Sequence, residues 1–205
     1  PALPDFLCIG APRSATTWLY TNLVKHPEIF IPTSKELHFF DDGIEKGPYN
    51  LGIDFTKCSH WQWYYSLYNK GFGKLKGDTT PSYMILPLER IQMIKRNMPN
   101  VKLIMGIRNP IERVWSGIKR SIYYDKGLNP NSFNFSHINM YIDKKYLYNR
   151  SDYITSINNW ESVFNERSIY YYFYSDVQIR PHHVLSNIAK FLEINDCFFD
   201  FNLKS

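Results

Sequence analysis

Two stretches of the chain share one order of apolar and polar positions. In each, a short apolar run ends in a polar corner, and apolar residues then recur at helical spacing. The first is residues 5–11 followed by Thr16 to the residue before Pro27, and the second is residues 101–107 followed by residues 111–123. Short apolar runs bounded by turn residues predict buried strands, and a spacing of three to four predicts helices. Each stretch therefore predicts a buried strand, a tight loop and a helix.

The rest of the pattern predicts further elements of both kinds. Residues 87–97, 153–164 and 181–192 are typical of helices, and residues 169–174 of a strand. Strands that alternate with helices indicate right-handed crossovers and a sheet covered on both faces. We therefore predict an α/β fold, a three-layer α/β/α arrangement with a central, mainly parallel sheet. Residues 126–150, rich in Asn, Ser and Tyr, are predicted to form a long surface excursion with a helix of its own.

Composition narrows the class of protein. The 205 residues suit one domain spanning 1–205, and 44% hydrophobic with 21% charged residues excludes a disordered or collagen-like chain. No run approaches the roughly 18 apolar residues of a membrane-spanning helix, so we expect no membrane span. We expect a cytoplasmic location for a bacterial or viral chain and the Golgi lumen for a trimmed eukaryotic one, and of the two we favour the cytoplasmic location. Cys8, Cys58 and Cys197 lie far apart with no CxxC, so we expect neither a disulfide framework nor a metal site.

The net charge of +5 suggests an anionic partner, and the positions of the arginines specify it further. Residues 10–17, Gly-Ala-Pro-Arg-Ser-Ala-Thr-Thr, lie where the first strand ends and its helix begins. Amides at a helix N-terminus bind phosphate-like oxygens, and Arg13 with the nearby hydroxyls adds donors. A triphosphate P-loop has Gly-Lys-Ser/Thr where this chain has Ala-Thr-Thr, so no lysine is placed for a γ-phosphate. The alternative is an ordinary turn in which Ser14 or Thr16 is the N-cap.

A second basic corner follows the 101–107 strand. Arg108 and Ser116 are eight residues apart, and together they could bind one further phosphate. The alternative is that Arg108 forms a salt bridge with Glu112. Ligands of open α/β sheets collect at the carboxyl ends of strands. Two anion sites at the ends of two strands of one sheet therefore favour a binding site.

These segments resemble a known family. Residues 6–19 resemble the 5′-phosphosulfate loop of sulfotransferases that use 3′-phosphoadenosine 5′-phosphosulfate (PAPS), and residues 107–116 resemble their 3′-phosphate motif. Residues 34–41, Ser-Lys-Glu-Leu-His-Phe-Phe-Asp, and residues 77–83, Gly-Asp-Thr-Thr-Pro-Ser-Tyr, are similar to segments of the heparan sulfate sulfotransferase branch and its bacterial relatives. The resemblance implies an enzyme that moves a sulfuryl group from PAPS to an acceptor hydroxyl by in-line displacement. It covers residues 4 to about 194.

The resemblance also implies roles for individual residues. Glu36 lies where the related enzymes place their general base, and His38 could share or replace that role. Arg13 would neutralise charge on the leaving nucleotide. Alternatively, Glu36 pairs with Lys35 or Arg13, and His38 packs between aromatic side chains. No metal is required, and 3′,5′-phosphoadenosine (PAP) is the other product. The implied nucleotide-binding residues are Arg13, Ser14, Ala15, Thr16, Thr17, Trp18, Arg108 and Ser116.

Three departures limit what the resemblance implies. Ala15 stands where the family usually has Gly, which predicts strain if its φ is positive. Thr79 stands where the glycan branch usually has a lysine at the reaction centre. The residues end at Asn202–Ser205, before the basic lid of the relatives, so we expect the lid to be missing or built differently.

The acceptor and two other function classes stay open. A carbohydrate hydroxyl leads, and lipid or polyketide hydroxyls are alternatives; residues 61–65, Trp-Gln-Trp-Tyr-Tyr, either stack on sugar rings or line the core. A P-loop kinase is opposed by the missing loop lysine and the lack of Asp at the end of the 101–107 strand. A non-enzymatic glycan- or nucleic-acid-binding module is opposed by the lack of RNP-like motifs, zinc spacing and lysine-rich stripes. We expect no nucleic-acid partner.

Overall fold

A five-stranded sheet forms the centre of the molecule. The computed structural model describes residues 3–32, 35–44, 51–129 and 132–199. The strands are β1 (Phe6–Gly10), β2 (Ile29–Phe30), β3 (Leu75–Thr79), β4 (Lys102–Ile107) and β5 (Ile169–Phe173). Their order is β2-β3-β1-β4-β5, and every described pair of neighbours is parallel. The predicted parallel sheet is confirmed.

Helices connect the strands. They are α1 (Thr16–Lys25), α2 (Cys58–Ser66), α3 (Leu88–Asn97), α4 (Pro110–Lys126), α5 (Phe135–Ile142), α6 (Lys145–Asn149), α7 (Tyr153–Glu161), α8 (Tyr174–Ile179) and α9 (Pro181–Leu192). Pro110 occupies the first turn of α4, where its missing N–H costs no hydrogen bond, and the side chain of Asn109 caps that helix. In the described residues, no helix combines the length and apolar character that crossing a membrane requires.

The sheet is buried on both faces because side chains alternate along its strands. On β1, Leu7 and Ile9 pack into a cluster with side chains of α3 and α7, including Ile91 and Trp160. Cys8, which points to the other face, joins a cluster with residues of α1 and α9. This arrangement is the three-layer α/β/α architecture that the alternation predicts.

The eight elements predicted from the pattern are present, with ends shifted by a few residues, but others were missed. Residues 75–79 read Leu-Lys-Gly-Asp-Thr, so β3 has no apolar run, and β2 has two residues. The pattern also gave no prediction for α2 and α8. The stretch 126–150 contains two helices, α5 and α6, instead of one.

Two sequence predictions concern residues outside the described ranges. The C-terminal residues 202–205, on which the lid prediction rests, are among them, as is Ser34 of the 34–41 segment. The single-domain organisation of residues 1–205 stays a prediction.

Candidate functional site

The loop between β1 and α1 leads into a helix end without a side-chain cap. The N-cap residue of α1 is Ala15, with φ 63° and ψ 22°, and no side chain caps the first amides. The capped-turn alternative with Ser14 or Thr16 is therefore not what forms. The Ser14 hydroxyl is buried and has no hydrogen-bond partner among the described residues. Left-handed backbone costs an L-residue about 1–2 kcal/mol, so the strain expected at Ala15 is present.

Contacts from the segment that follows β3 and from β5 fix this loop. A Cβ on Gly10 would lie 2.8 Å from the Met84 Cβ and 2.9 Å from the Pro81 carbonyl, so glycine is required at the end of β1. The Tyr172 hydroxyl of β5 donates to the Ser14 carbonyl at 2.7 Å. The loop is therefore fixed at both ends, at Gly10 by residues 81–84 and at Ser14 by β5.

The two basic corners predicted from the sequence come together. Arg13 Nε donates to Ser116 Oγ of α4 at 3.0 Å, and Arg108 Nη1 donates to the Arg13 carbonyl at 3.0 Å. The alternative contact of Arg108 also forms, since its Nε lies 3.3 Å from Glu112 Oε2. The Arg108 guanidinium carbon lies 4.0 Å from the centre of the Tyr174 ring. The Arg108 guanidinium therefore links the loop between β1 and α1 to the corner after β4.

The electrostatics of the corners favour an anion. Burial lowers the pKa of Arg13, and the neighbouring charges of Arg120 and Arg108 lower it further. Like charges depress the pKa of a cation because each disfavours the protonated form of the other. The site therefore concentrates positive charge that a phosphate or sulfate group would neutralise. Arg120 is exposed and lies one turn beyond Ser116 on α4; the sequence reading missed it.

A cleft opens beside these groups at the carboxyl edge of the sheet. Its volume is about 490 Å³. Most of the predicted nucleotide-binding residues line it, while Ser14 and Ser116 are buried against the loop and Arg13. The lining residues Thr21, Asn22, Tyr174 and Gln178 are not among the nucleotide-binding residues predicted from the sequence, although Tyr174 directly follows β5 at the carboxyl end of a strand. The lining residues are Arg13, Ala15, Thr16, Thr17, Trp18, Thr21, Asn22, Arg108, Tyr174 and Gln178.

A larger cavity of about 620 Å³ lies on another face of α4 and is not this site. Its α4 residues Ile111, Val114 and Ile118 follow the three-to-four spacing of one helix face, which Ser116 does not share. None of the described residues that line it is basic. Its described lining therefore differs in charge from that of the cleft, which contains Arg13 and Arg108.

A chain of polar side chains lies on residues 36–41. His38 Nε2 lies 3.3 Å from Glu36 Oε2, and His38 Nδ1 lies 2.8 Å from Asp41 Oδ2. Ser82 Oγ donates to the same Asp41 oxygen at 2.5 Å. His38 has a φ of 53°, so residues 36–38 do not form an extended strand, yet the side chains of Glu36 and His38 meet. Glu36 is the more open of the two, with 33% of its side chain exposed against 13% for His38.

His38 carries a proton at neutral pH. Burial lowers its pKa, but hydrogen bonds and charges from Asp41 and Glu36 outweigh burial and raise the pKa to about 9. An imidazolium donates from both nitrogens and accepts from neither. The alternative in which His38 packs between aromatic side chains does not describe these contacts.

The raised pKa of His38 predicts how stability changes with pH. A group whose folded pKa exceeds its unfolded value of 6.5 stabilises fully below pH 6.5, and the effect is lost as pH rises through about 9. This rise in the pKa of His38 corresponds to a contribution of about 3 kcal/mol to the free energy of unfolding. In urea denaturation, His38→Asn should be less stable than the parent chain at about pH 6, and the gap should shrink by about pH 10. His183→Asn, at an exposed position, is the control. If the difference in stability between His38→Asn and the parent chain did not change with pH, the raised pKa of His38 would be contradicted.

Lys35, for which the sequence predicts only a pairing with Glu36, lies beside the loop between β1 and α1. Its Nζ donates to Thr17 Oγ1 at 3.1 Å, which places the ammonium at the first turn of α1. Burial lowers the pKa of Lys35. Thr79, where the glycan branch usually has lysine, is buried, and its hydroxyl has no partner among the described residues. Position 79 therefore provides no ammonium group, and Lys35 provides one beside the loop between β1 and α1.

Comparison with known proteins decides the family. A family model described as a sulfotransferase domain matches residues 3–197. The chain belongs to the sulfotransferase family. A sulfotransferase from Alicyclobacillus acidocaldarius shares the fold, with a TM-score of 0.76 at 22% identity over 100% of this chain and 87% of that one. Sulfotransferases of this family use PAPS as their donor.

Two curated sulfotransferases are similar in sequence. The membrane-associated sulfotransferase kil1 of Dictyostelium discoideum is 34% identical over 138 residues, which cover 66% of this chain and 27% of the relative. Human heparan sulfate glucosamine 3-O-sulfotransferase 6 is 30% identical over 126 residues, 61% of this chain and 32% of the relative. The chain therefore spans about a quarter to a third of the length of these sulfotransferases.

Proposed function

We propose that this chain transfers the sulfuryl group of PAPS to an acceptor hydroxyl, with Glu36 as general base. The observation that carries the proposal is the convergence of Arg13, Arg108 and Ser116 beside the uncapped end of α1. Phosphate-like groups bind where helix amides and cations converge. The buried Ser14 hydroxyl without a partner supplies one more donor for such a group.

The residues divide between the two ends of the donor. The amides and hydroxyls of residues 14–17, with Trp18, hold its 5′ end, and Arg108 with Ser116 holds the 3′-phosphate. The guanidinium of Arg13, which lines the cleft and donates to Ser116, neutralises charge as the nucleotide leaves. Lys35, bonded to Thr17, adds a second positive charge on the sulfuryl side.

Transfer needs a base on the acceptor side. The acceptor oxygen forms a bond to sulfur while the bond from sulfur to the 5′-phosphate oxygen breaks, and Glu36 takes the hydroxyl proton. His38 donates to Glu36 and Asp41, so its role is to orient Glu36 and not to act as the base. PAP then leaves. No group of three or more His, Cys, Asp or Glu in the described part of the chain is arranged to hold a metal ion.

A carbohydrate hydroxyl is the proposed acceptor. It is supported by the relative whose name is heparan sulfate glucosamine 3-O-sulfotransferase 6 and by the 36–41 segment. In the aromatic stretch 61–65, Tyr64 is fully buried and lines the core, whereas 41% of Trp63 is exposed and available to stack on a sugar ring. The lipid and polyketide hydroxyls are the other acceptors to screen. The cytoplasmic location stays a prediction.

Titration calorimetry tests the proposed donor. PAP should bind in the micromolar range or tighter without added metal, because its 3′-phosphate reaches Arg108 and Ser116. ATP with Mg²⁺ should bind at least about tenfold more weakly, a difference of about 1.4 kcal/mol. Tight binding of ATP with Mg²⁺ and no binding of PAP would overturn the proposal in favour of a kinase.

A further inference from the structure

Asp78 is a buried carboxylate that the proposed mechanism does not use. It lies on β3 and is 0% exposed. Burial raises its pKa to about 6, against the opposing effect of hydroxyl hydrogen bonds. No basic side chain among the described residues lies within ion-pair distance of it. A buried carboxylate without a cation is costly, so its retention needs a reason.

Three hydroxyls surround Asp78 and donate to it. Thr80 Oγ1 donates to Oδ1 at 2.7 Å, and the hydroxyls of Tyr64 and Tyr83 donate to Oδ2 at 3.0 Å each. Tyr68 donates in turn to the Tyr64 hydroxyl at 3.3 Å. An ionised carboxylate accepts and cannot donate, so each contacting hydroxyl must point its proton at Asp78. The lone pairs of these oxygens are then free to face elsewhere.

The lone pairs of two of these hydroxyls, those of Thr80 and Tyr83, face the segment of residues 36–41. Thr80 Oγ1 accepts from the Leu37 amide at 3.1 Å. Tyr83 OH accepts from the Phe39 amide at 3.1 Å and from the Phe40 amide at 3.4 Å. Along the chain, these three amides lie between Glu36 and Asp41, on either side of His38. Two series of hydrogen bonds therefore connect the Asp78 carboxylate, through a hydroxyl, to a backbone amide. Each series ends at a residue adjacent to His38 in the chain.

We propose that Asp78 is a positioning residue for sulfuryl transfer, acting through Thr80 and Tyr83 to fix residues 37–40 and thereby Glu36 and His38. The inference rests on the proposed role of Glu36. Asparagine at position 78 would present an amide donor either to Thr80 alone or to the pair Tyr64 and Tyr83. A hydroxyl facing that donor would lose the acceptor for its own proton and would have to accept from the asparagine amide as well as from the backbone amide, which would weaken the link.

A matched pair of tyrosine variants tests the inference. Tyr83→Phe removes the acceptor for the Phe39 and Phe40 amides. Tyr68→Phe removes a hydroxyl of the same cage that makes no hydrogen bond to residues 37–40 among the described contacts. Misplacement of reacting groups by about 1 Å can cost about 100-fold in rate. We expect Tyr83→Phe and Asp78→Asn to lower kcat by about 10- to 100-fold with the Kd for PAP unchanged, and Tyr68→Phe to stay within about twofold.

A readout that needs no turnover separates this inference from the proposed function. The pKa of His38, measured by NMR titration, should fall in Tyr83→Phe and Asp78→Asn as contacts with Glu36 and Asp41 loosen, and should hold in Tyr68→Phe. If the parent chain transfers no sulfuryl group while these shifts occur, the proposed function fails and the positioning stands. An unmoved His38 pKa in both variants, with kcat equal to that of Tyr68→Phe, would overturn the positioning role.

Variants at Thr80 keep the test decisive if Tyr83→Phe does not fold. Thr80→Val keeps the shape but removes the acceptor of the Leu37 amide, whereas Thr80→Ser keeps the hydroxyl. We expect Thr80→Val to lose about tenfold in kcat and Thr80→Ser to recover most of it. Equal kcat in the two variants would contradict the inference.

Discussion

Glu36→Gln is expected to lower the turnover of sulfuryl transfer by about 10²- to 10⁴-fold. Glutamine has nearly the same shape, so the contact with His38 can persist, but an amide does not accept the acceptor's proton. Affinity for PAP should stay within about twofold of the parent value, since the donor site is built from the loop, Arg108 and Ser116. Single-turnover transfer from labelled PAPS and calorimetry with PAP measure the two quantities.

A carboxylate elsewhere on the surface provides the control for this charge change. Glu89 lies in the first turn of α3, outside the cleft, and Glu89→Gln should leave turnover unchanged. If Glu36→Gln keeps more than half of the parent turnover, another group is the base. A loss of PAP affinity equal to the loss in turnover would instead assign Glu36 to donor binding.

Arg108→Met should weaken PAP binding by about 10- to 100-fold and leave adenosine 5′-phosphate binding nearly unchanged. Hydrogen bonds to charged groups contribute about 1.5–3 kcal/mol, and the expected loss is the contact with the 3′-phosphate. Adenosine 5′-phosphate has no 3′-phosphate, so it cannot lose that contact. The ratio of the two affinities, measured by calorimetry, isolates the 3′-phosphate from the rest of the nucleotide.

Arg180→Met is the matched control. Arg180 pairs with Asp176 four residues away, as Arg108 pairs with Glu112, but 58% of its side chain is exposed against 17% for Arg108. The control should leave both affinities unchanged. An equal loss for both nucleotides in Arg108→Met would indicate that Arg108 supports the loop through the Arg13 carbonyl and does not bind the 3′-phosphate.

The sequence predicted the two strand–loop–helix units because their apolar runs and turn residues are local features. It did not predict β3, whose buried positions 77–79 are Gly, Asp and Thr. A strand with polar buried positions has no hydrophobic pattern to detect. Its Asp78 accepts from Thr80 and Tyr83, which in turn contact Leu37 and Phe39 about 40 positions away, and spacing does not reveal such contacts.

The candidate site divides in the same way. Arg13, Arg108 and Ser116 follow predicted strands, so their meeting at the carboxyl edge could be expected. Lys35 reaching Thr17, and His38 held between two carboxylates, depend on the backbone path of residues 35–41, including a positive φ at His38. No pattern of apolar and polar residues encodes that path.

Transfer of labelled sulfuryl from PAPS to a sugar acceptor, followed together with PAP release, tests the central claim most directly. We predict one PAP released for each sulfated acceptor molecule, without added metal, and loss of both products in Glu36→Gln. PAP release at the same rate with no acceptor sulfated across sugar, lipid and polyketide hydroxyls, or label transfer unaffected by Glu36→Gln, would contradict the account.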